Sequence, residues 1–360
     1  MLDKAYAVIL AGGKGERFWP LSTSKRPKQV LSLVGDKPLL AMAVDYLKGL
    51  IPPERILVIT RADLAAVTRR AAPALPRANI IGEPFGRDTA AACALGCALV
   101  RARAPDGALC ILTADHIVED VPVFQRTLRA GFALALSDDV LITIGIKPTF
   151  PNTGFGYIEA GRPLARRKGI AFLKARRFVE KPDRKTAERY LKSGRFFWNA
   201  GMFIWSVESF QRALARHAPA LRRLVDRVAA AGAKGLAATL RREYRGLEKI
   251  SVDYAIMEKS ANIVMARGAF RWDDVGSWPA LANHFGKDWA GNVLLGNCQA
   301  MDSTGNLVVS QERLTALIGV KDLVVVQAGG ATLVCARNRA QDVKKMVQLL
   351  TASGRHHDVL

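Results

Sequence analysis

The residues best suited to chemistry lie in the first thirty positions of the chain. The apolar run Ala5–Leu10 is followed by Leu10-Ala11-Gly12-Gly13-Lys14-Gly15-Glu16-Arg17-Phe18-Trp19-Pro20-Leu21-Ser22. A strand that ends in small residues lets backbone N–H groups approach phosphate oxygens with no side chain in the way. Arg17 stands two residues past Gly15, and a second cation follows at Lys28 in Arg26-Pro27-Lys28-Gln29. A guanidinium and an ammonium beside a glycine turn suit a triphosphate whose charge must be neutralised during transfer. The string is not a Walker A loop, because no G-x-x-x-x-G-K-[ST] occurs. Nor is it a dinucleotide fingerprint, since Phe18 follows Gly15 where a third small residue is needed. The competing reading of a bare Gly-x-Gly is an ordinary strand-to-helix turn with surface cations.

A carboxylate, Asp115, follows the apolar run Ala108–Thr113. At the C-terminal end of a buried strand it could hold Mg²⁺ against phosphate oxygens, with Asp274 in Asp273-Asp274-Val275-Gly276 as a second oxygen ligand. The competing role of Asp115 is to cap a following turn. The histidines (His116, His217, His284, His356 and His357) form no Ser/His/Asp or Cys/His pattern. Cys93, Cys97, Cys110, Cys298 and Cys335 are odd in number and contain no C-x-x-C pair, so zinc is not expected. Cys93 and Cys97 read as small apolar packing in an alanine-rich helix.

The elements that must position these groups alternate. Strands are expected at Ala5–Leu10, Arg55–Thr60, Asn79–Gly82, Ala108–Thr113 and Val140–Ile146. Helices are expected at Leu39–Leu50, Asp63–Ala72, Thr89–Ala104 and Val121–Leu136. This βαβα rhythm argues for an open, mostly parallel sheet with helices on both faces, an α/β fold of Rossmann-like kind. Past Ile146 the pattern loosens into strand candidates Tyr157–Ala160, Phe172–Glu180 and Gly201–Trp205 and a long helical stretch, Glu208–Arg245. From Gly291 the texture changes to short β runs, Leu307–Ser310, Thr315–Gly319, Leu323–Gln327 and Thr332–Ala336, with a Gly329-Gly330 hairpin turn and a closing helix Gln341–Leu350. The expected division is a catalytic domain over 1–288 and a small β-rich domain over 289–360.

Together the blocks carry a resemblance. A-G-G-x-G-x-R-x-W-P-L-S followed by P-K-Q resembles the sugar-phosphate nucleotidyltransferase family. The Phe-Trp-Pro-Leu-Ser extension is most similar to its mannose-1-phosphate guanylyltransferase branch. The likeness continues through Glu83-Pro84-x-x-Arg87-Asp88-Thr89-Ala90, Thr113-Ala114-Asp115-His116, Asn152–Ile158, Phe178-Val179-Glu180-Lys181-Pro182, Trp198–Phe203 and Trp272–Trp278. It implies a nucleotidyltransferase fold of GT-A-like type. It implies transfer of GMP from GTP to mannose 1-phosphate, giving GDP-mannose and pyrophosphate, with Mg²⁺ or another divalent cation such as Mn²⁺. Carried over residue by residue, Arg17, Lys28 and Lys181 serve catalysis. Leu10, Ala11, Gly12, Gly13, Gly15, Glu83, Arg87 and Thr89 bind the nucleotide, with Arg87 and Thr89 facing the base. Asp88 offers an N-cap for the helix beginning there. Gly156, Glu180, Lys181, Asn199 and Gly201 line the sugar phosphate, and Asp115 and Asp274 hold the metal. Read without the resemblance, Glu180-Lys181 is an exposed ion pair and Gly156 a turn glycine. The β-rich segment resembles an appendage that packs at subunit contacts in relatives, which implies a homodimer. Some members carry a fused isomerase; a chain of this length reads as the short, single-activity form.

Composition bounds the alternatives. Half of the 360 residues are hydrophobic and 24% are charged, a globular balance. No apolar stretch approaches the length of a membrane span and no leader pattern opens the chain, so a cytoplasmic protein with no membrane association is expected. The net charge of +21 invites a nucleic-acid reading. However, Arg212, Arg216, Arg223 and Arg227 accompany an apolar stripe of Leu214, Leu221, Val225 and Val228. That is the pattern of an amphipathic helix with a solvated basic face, and no nucleic-acid module appears. The remaining competitors are a related pyrophosphorylase using another base or sugar, and an inactive, regulatory nucleotide-sugar-binding subunit. Intact Arg17, Lys28, Asp115, Lys181 and Asp274 argue against the latter.

Overall fold

The computed structural model describes residues 2–360. In chain order its main elements are β1 (Ala5–Leu10), α1 (Leu39–Asp45), β2 (Ile56–Arg61), α2 (Ala65–Ala71), β3 (Ile80–Glu83), α3 (Asp88–Arg101), β4 (Ala108–Thr113), β5 (Ile117–Val118), α4 (Val121–Ser137) and β6 (Leu141–Ile146). Next come β7 (Tyr157–Arg167), β8 (Ile170–Val179), α5 (Arg184–Ser193), β9 (Phe196–Ser206), α6 (Val207–His217), α7 (Pro219–Glu243), β10 (Ile263–Gly268), β11 (Trp272–Asp273) and α8 (Trp278–Ala282). The last are β12 (Val293–Met301), β13 (Leu307–Ile318), β14 (Leu323–Ala328), β15 (Ala331–Ala336) and α9 (Val343–Ala352).

These elements form two compact units interleaved in sequence. The first comprises 1–12, 43–114 and 118–272; the second comprises 13–42, 115–117 and 273–360. The glycine turn after β1 and residues 115–117, just past β4, belong with the C-terminal strands.

The first unit is built on a nine-stranded sheet in the order β3-β2-β1-β4-β9-β6-β10-β8-β7. The neighbours β3, β2, β1 and β4 are parallel, and only β9 and β8 run against the other seven. β1 is apolar throughout, and β2 and β4 are apolar but for their last residues, because helices cover both faces, so nearly every side chain is buried. The chain reverses its direction of winding between β1 and β4, the switch point at whose C-terminal edge open α/β sheets bind ligands. The register pairs Leu10 with Thr113, so both strands end level there. Ala114 N donates to Leu10 O and Ala11 N to Ile59 O. Helix α3 is alanine-rich because it lies in the core, where Cys93 and Cys97 pack as small apolar groups.

The expected helix over Glu208–Arg245 is two, because Pro219 starts a new one after Ala218 leaves helical geometry. α7 itself bends at Gly232, where φ is 61°. The stripe is as read: Leu214, Leu221, Val225 and Val228 are in the core. β7 and β9 are longer than expected. The polar residues of β7 belong to a hairpin with β8, interrupted by bulges, and the β6–β9 pairing is irregular too, which hides the period-two alternation.

In the second unit β12, β13 and β14 run parallel, and β14 and β15 close an antiparallel hairpin at Gly329-Gly330. Leu307–Ser310 and Thr315–Gly319 fall on one irregular strand, β13, and β12 escapes the hydrophobic pattern because most of it is not buried. One apolar core joins Phe18, Trp19, Leu21, Leu31 and Leu33 of the loop after β1 to Trp278, Val293, Leu307, Val326 and Val343. Among the described residues no helix is long and apolar enough to cross a membrane.

Candidate active site

Four features of the first unit meet at the ligand-binding edge of its sheet. Gly12 continues β1, and a side chain there would stand 3.9 Å from Glu83 Oε2. Glu83 ends β3 and is only 6% exposed. Its Oε1 accepts a hydrogen bond from Tyr244 Oη at 3.0 Å. Burial pushes the Glu83 carboxyl up to about 7, against the lowering effect of the Tyr244 hydroxyl and with Asp88 adding a like charge. Thr113 Oγ1, at the end of β4, is buried without a hydrogen-bond partner.

Arg87 and Thr89 do not point freely. The Arg87 guanidinium donates to Tyr244 O (2.9 Å) and Arg245 O (2.8 Å), and Thr89 Oγ1 accepts from Val252 N at 2.9 Å. Both tie the start of α3 to the segment after α7. Asp88 is no conventional N-cap: its φ is 65°, it forms the first residue of α3, and its carboxylate takes only the adjacent Thr89 N.

The second cluster gathers around β9. The pairing of β6 with β9 shifts register between Thr143 and Gly145. That bulge, with Gly201 at φ 65°, turns Asn199 out of the ladder's regular alternation. Asn199 Oδ1 accepts from Thr143 Oγ1 (2.9 Å) and Gly201 N (3.2 Å), and Nδ2 donates to Asp253 Oδ1 (2.9 Å). Glu180 pairs with Lys181 Nζ at 2.5 Å. A side chain at Gly156 would collide with Glu180 Oε2, so the room left by that glycine is taken up by the carboxylate. Lys181 holds φ at 45°, a conformation that costs a non-glycine residue on the order of 1–3 kcal/mol. Burial lifts Asp253 to about 7, with the Glu180 charge reinforcing it.

The second unit gathers cations and carboxylates around Lys28. Lys28 is 4% exposed, and its Nζ donates to Asp115 Oδ2 at 3.0 Å and to Asp274 O at 2.7 Å. The ammonium also lies 5.4 Å from the centre of the Phe18 ring. Gly15 makes this packing possible: its φ is 67°, and a Cβ there would overlap Lys28 Cβ. Arg17 sits exposed in the short 3₁₀ turn Glu16–Phe18.

Burial opposes ionisation of Asp115, but the Lys28 charge, a contribution from His116 and the hydrogen bonds it accepts together outweigh it and hold the carboxyl below its usual range. Asp274 is pushed up to about 6. Burial is the main cause, Lys28 opposes it, and the Asp273 and Asp115 charges add to it. The two neighbouring aspartates therefore differ. Asp273 is satisfied by His284 Nε2 (3.1 Å) and Val275 N (2.7 Å), which hold it low against burial. Among the described residues the Asp274 carboxylate receives Gly276 N alone, at 3.0 Å. His116, beside Asp115, is driven down to about 4 chiefly by burial, so it is neutral at pH 7.

Thus Arg17, Lys28, Asp115 and Asp274 fall in one unit and Glu83, Gly156, Glu180, Lys181, Asn199 and Gly201 in the other. Sequence reading missed Tyr244, Thr143 and Asp253. Thr143 is a single polar group in an apolar run and Tyr244 an aromatic in the charged stretch Arg241–Arg245, so neither gives a local signal. Asp253 could have been found as the one acid inside the apolar run Val252–Met257.

Two family models divide the chain between them: nucleotidyl transferase over residues 6–289, and the MannoseP isomerase/GMP-like beta-helix domain over 296–350. A mannose-1-phosphate guanylyltransferase of Klebsiella pneumoniae is 38% identical over 352 residues, covering 97% of this chain and 74% of the relative. The chain belongs to the mannose-1-phosphate guanylyltransferase family of nucleotidyltransferases. The enzyme of that name from Escherichia coli K12 is 35% identical, with 98% of this chain and 75% of the relative aligned. Among solved structures, a mannose-1-phosphate geranyltransferase from Thermus thermophilus superposes with a TM-score of 0.86 at 36% identity, covering 97% of this chain and 99% of that one.

Proposed function

We propose that this chain transfers GMP from GTP to mannose 1-phosphate, giving GDP-mannose and pyrophosphate. The observation that carries the reading is the buried Lys28, shared between Asp115 and the Asp274 backbone on a glycine-turn loop that also bears Arg17. Such a cluster has cationic groups to draw charge off a triphosphate and carboxylates to spare. The activity named for the relatives supports the same reading.

In this mechanism a phosphate oxygen of mannose 1-phosphate attacks the α-phosphorus of GTP in line. The bond from that phosphorus to the bridging oxygen breaks, and pyrophosphate leaves with the electron pair. The attacking monoester is already ionised near neutral pH, so rate comes from positioning and charge neutralisation. Lys181, aimed by its left-handed backbone, holds the attacking phosphate, with Gly156, Glu180, Asn199 and Gly201 on the sugar side. Leu10, Ala11, Gly12, Gly13 and Gly15 let the nucleotide approach the backbone. Arg17 and Lys28 neutralise the leaving pyrophosphate. Glu83 accepts from the base, and Arg87 and Thr89 brace the wall against which the base rests. A carboxylate acceptor suits guanine, which offers adjacent N–H donors, and would leave an adenine acceptor facing negative charge.

The donor set fits a divalent cation. The Asp115 charge raises the cost of ionising Asp274, and Lys28 bonds the backbone oxygen of Asp274 rather than its carboxylate. Two carboxylates, with substrate phosphates completing the shell, match the habits of Mg²⁺. Mg²⁺ or Mn²⁺, when bound, would supply charge neutralisation on phosphate oxygens.

The reading includes a homodimer and a cytoplasmic location. Met301, Leu314, Ile318, Val334, Met346 and Leu349 of the second unit are each large, apolar and exposed, more than isolated surface residues require. If they meet a second copy, Ile318→Glu gives a monomer in sedimentation. Five unpaired thiols suit a reducing compartment.

Pyrophosphate release, measured with Mg²⁺ and mannose 1-phosphate against GTP, ATP, UTP, CTP and dTTP in parallel, tests the assignment. Release with GTP alone, abolished in Asp115→Ala, is expected. Release with another nucleotide would overturn the base, and silence with all five in a folded protein would overturn the activity.

A further inference from the structure

Asp253 opens a five-residue π-helical turn, Asp253–Met257. Single π-helical turns are rare and are frequent at functional sites. Ala255, Ile256 and Met257 anchor the turn in the core, whereas Asp253 itself stays partly accessible.

An aspartate kept for structural reasons would be matched by a cation or several N–H donors. Asp253 has one side-chain partner, Asn199 Nδ2, at 2.9 Å from Oδ1. The charge that bears on it most is Glu180, which repels it. Asn199, for its part, cannot turn over: its Oδ1 is taken by Thr143 Oγ1 and Gly201 N, so its amide nitrogen must face Asp253. Thr143 is fully buried on β6 and fixes the far end. The relay Thr143–Asn199–Asp253 thus uses up the acceptor of Asn199 and aims a carboxylate whose second oxygen no other residue's side chain engages, among the described residues. Beside it stands a second carboxylate, Glu180, paired with the ammonium of Lys181.

Two acids held near one another with a single cation are poorly matched to each other. They are well matched to a ligand that brings several O–H donors and a phosphate. We infer that Asp253 is a hydroxyl-recognising residue of the sugar-phosphate site, accepting hydrogen bonds from ring hydroxyls of a hexose 1-phosphate, and that Asn199 and Thr143 are positioning residues that aim it. This rests on the function proposed above and names the group that reads the sugar.

The test is steady-state kinetics of the whole chain, wild type, Asp253→Asn and Thr143→Val, with GTP and mannose 1-phosphate or its 2-, 3-, 4- and 6-deoxy analogues. Asp253→Asn is expected to raise KM for mannose 1-phosphate about 10- to 100-fold, the range for losing a charged hydrogen bond, with KM for GTP within about twofold. At least one deoxy analogue that is poor for the wild type is expected to lose its handicap in Asp253→Asn, since the two deletions remove the same contact. Thr143→Val, which leaves the carboxylate in place but loosens its aim, is expected to raise the same KM by a smaller factor.

An unchanged sugar KM in Asp253→Asn, an equal rise for both substrates, or an undiminished penalty for every deoxy analogue would each overturn the inference. If the wild type prefers another hexose 1-phosphate, the same cycle on that sugar decides the matter, and only the mannose assignment falls. If calorimetry finds that the folded wild type binds no hexose 1-phosphate at all, both readings fail. A melting curve checks that Asp253→Asn folds, which removal of a charge repelled by Glu180 favours.

Discussion

Glu83 combines a functional assignment with a measurable cost. Its folded carboxyl is raised from the ordinary value to about 7, so the folded chain holds a proton there that the unfolded chain has released. Between those limits the folded state binds more protons, and stability falls as pH rises through about 7. The loss amounts to at most ~3 kcal/mol. Glu83→Gln should therefore melt higher than wild type at pH 8 and at a similar temperature at pH 4, where the acid is protonated in both states. The same variant should raise KM for GTP at pH 8, because an amide replaces one of the carboxylate's two acceptor oxygens with an NH₂ donor that faces the donors of the base. Equal melting shifts at both pH values would show that the carboxyl is not perturbed. Arg17 differs in kind. It is exposed, so Arg17→Ala should leave the melting temperature unchanged and lower kcat by roughly 10²–10³-fold, the loss seen when one preorganised donor is removed. A kcat within a few-fold of wild type would remove it from the catalytic set.

Among the elements, the helix pair α6–α7 separates core from charge. Leu224 is 1% exposed and packs in the main core, while its neighbour Arg223 faces solvent. Leu224→Ala should cost about 2–5 kcal/mol in urea unfolding. Arg223→Ala should stay within about 0.5 kcal/mol. A large effect of the arginine would mean that the basic face is engaged rather than solvated. That division was legible in the sequence, as were β1, β4 and α4 almost to the residue, because continuous or strictly periodic apolar runs leave one solution. Arg17, Lys28, Asp115 and Lys181 could be named as candidates because each sits in a string of unusual composition. The relay through Thr143 and Asp253 could not, because it depends on a bulge in β9 and on a π-helical turn, neither of which has a period. The same limit hid the break before Pro219 in a stretch whose apolar spacing continues across it.

At the scale of the whole molecule, the loop bearing Arg17 and Lys28 is packed not by its sequence neighbours but by the C-terminal strands and helix. Phe18, Trp19 and Leu33 share a core with Val293, Leu307 and Val343, Trp19 Nε1 donates to Val359 O at 2.8 Å, and Ser24 Oγ donates to Leu360 O at 2.9 Å. Removing Val359 and Leu360 should speed hydrogen exchange across residues 16–24 and lower kcat, while amides of the β1–β4 sheet keep their protection. Unchanged exchange in the loop would show that the apolar core alone holds it. The arrangement also sets a timetable for the making of the protein. Phe18 leaves the ribosome 275 residues before Val293, an interval of roughly 15–60 s at the usual 5–20 residues per second. Throughout that time the loop has none of its C-terminal packing partners, however early β1 to β4 assemble. The nascent chain can therefore pair β1 to β4 long before it acquires its chemistry, which waits for Val293 and the strands that follow it.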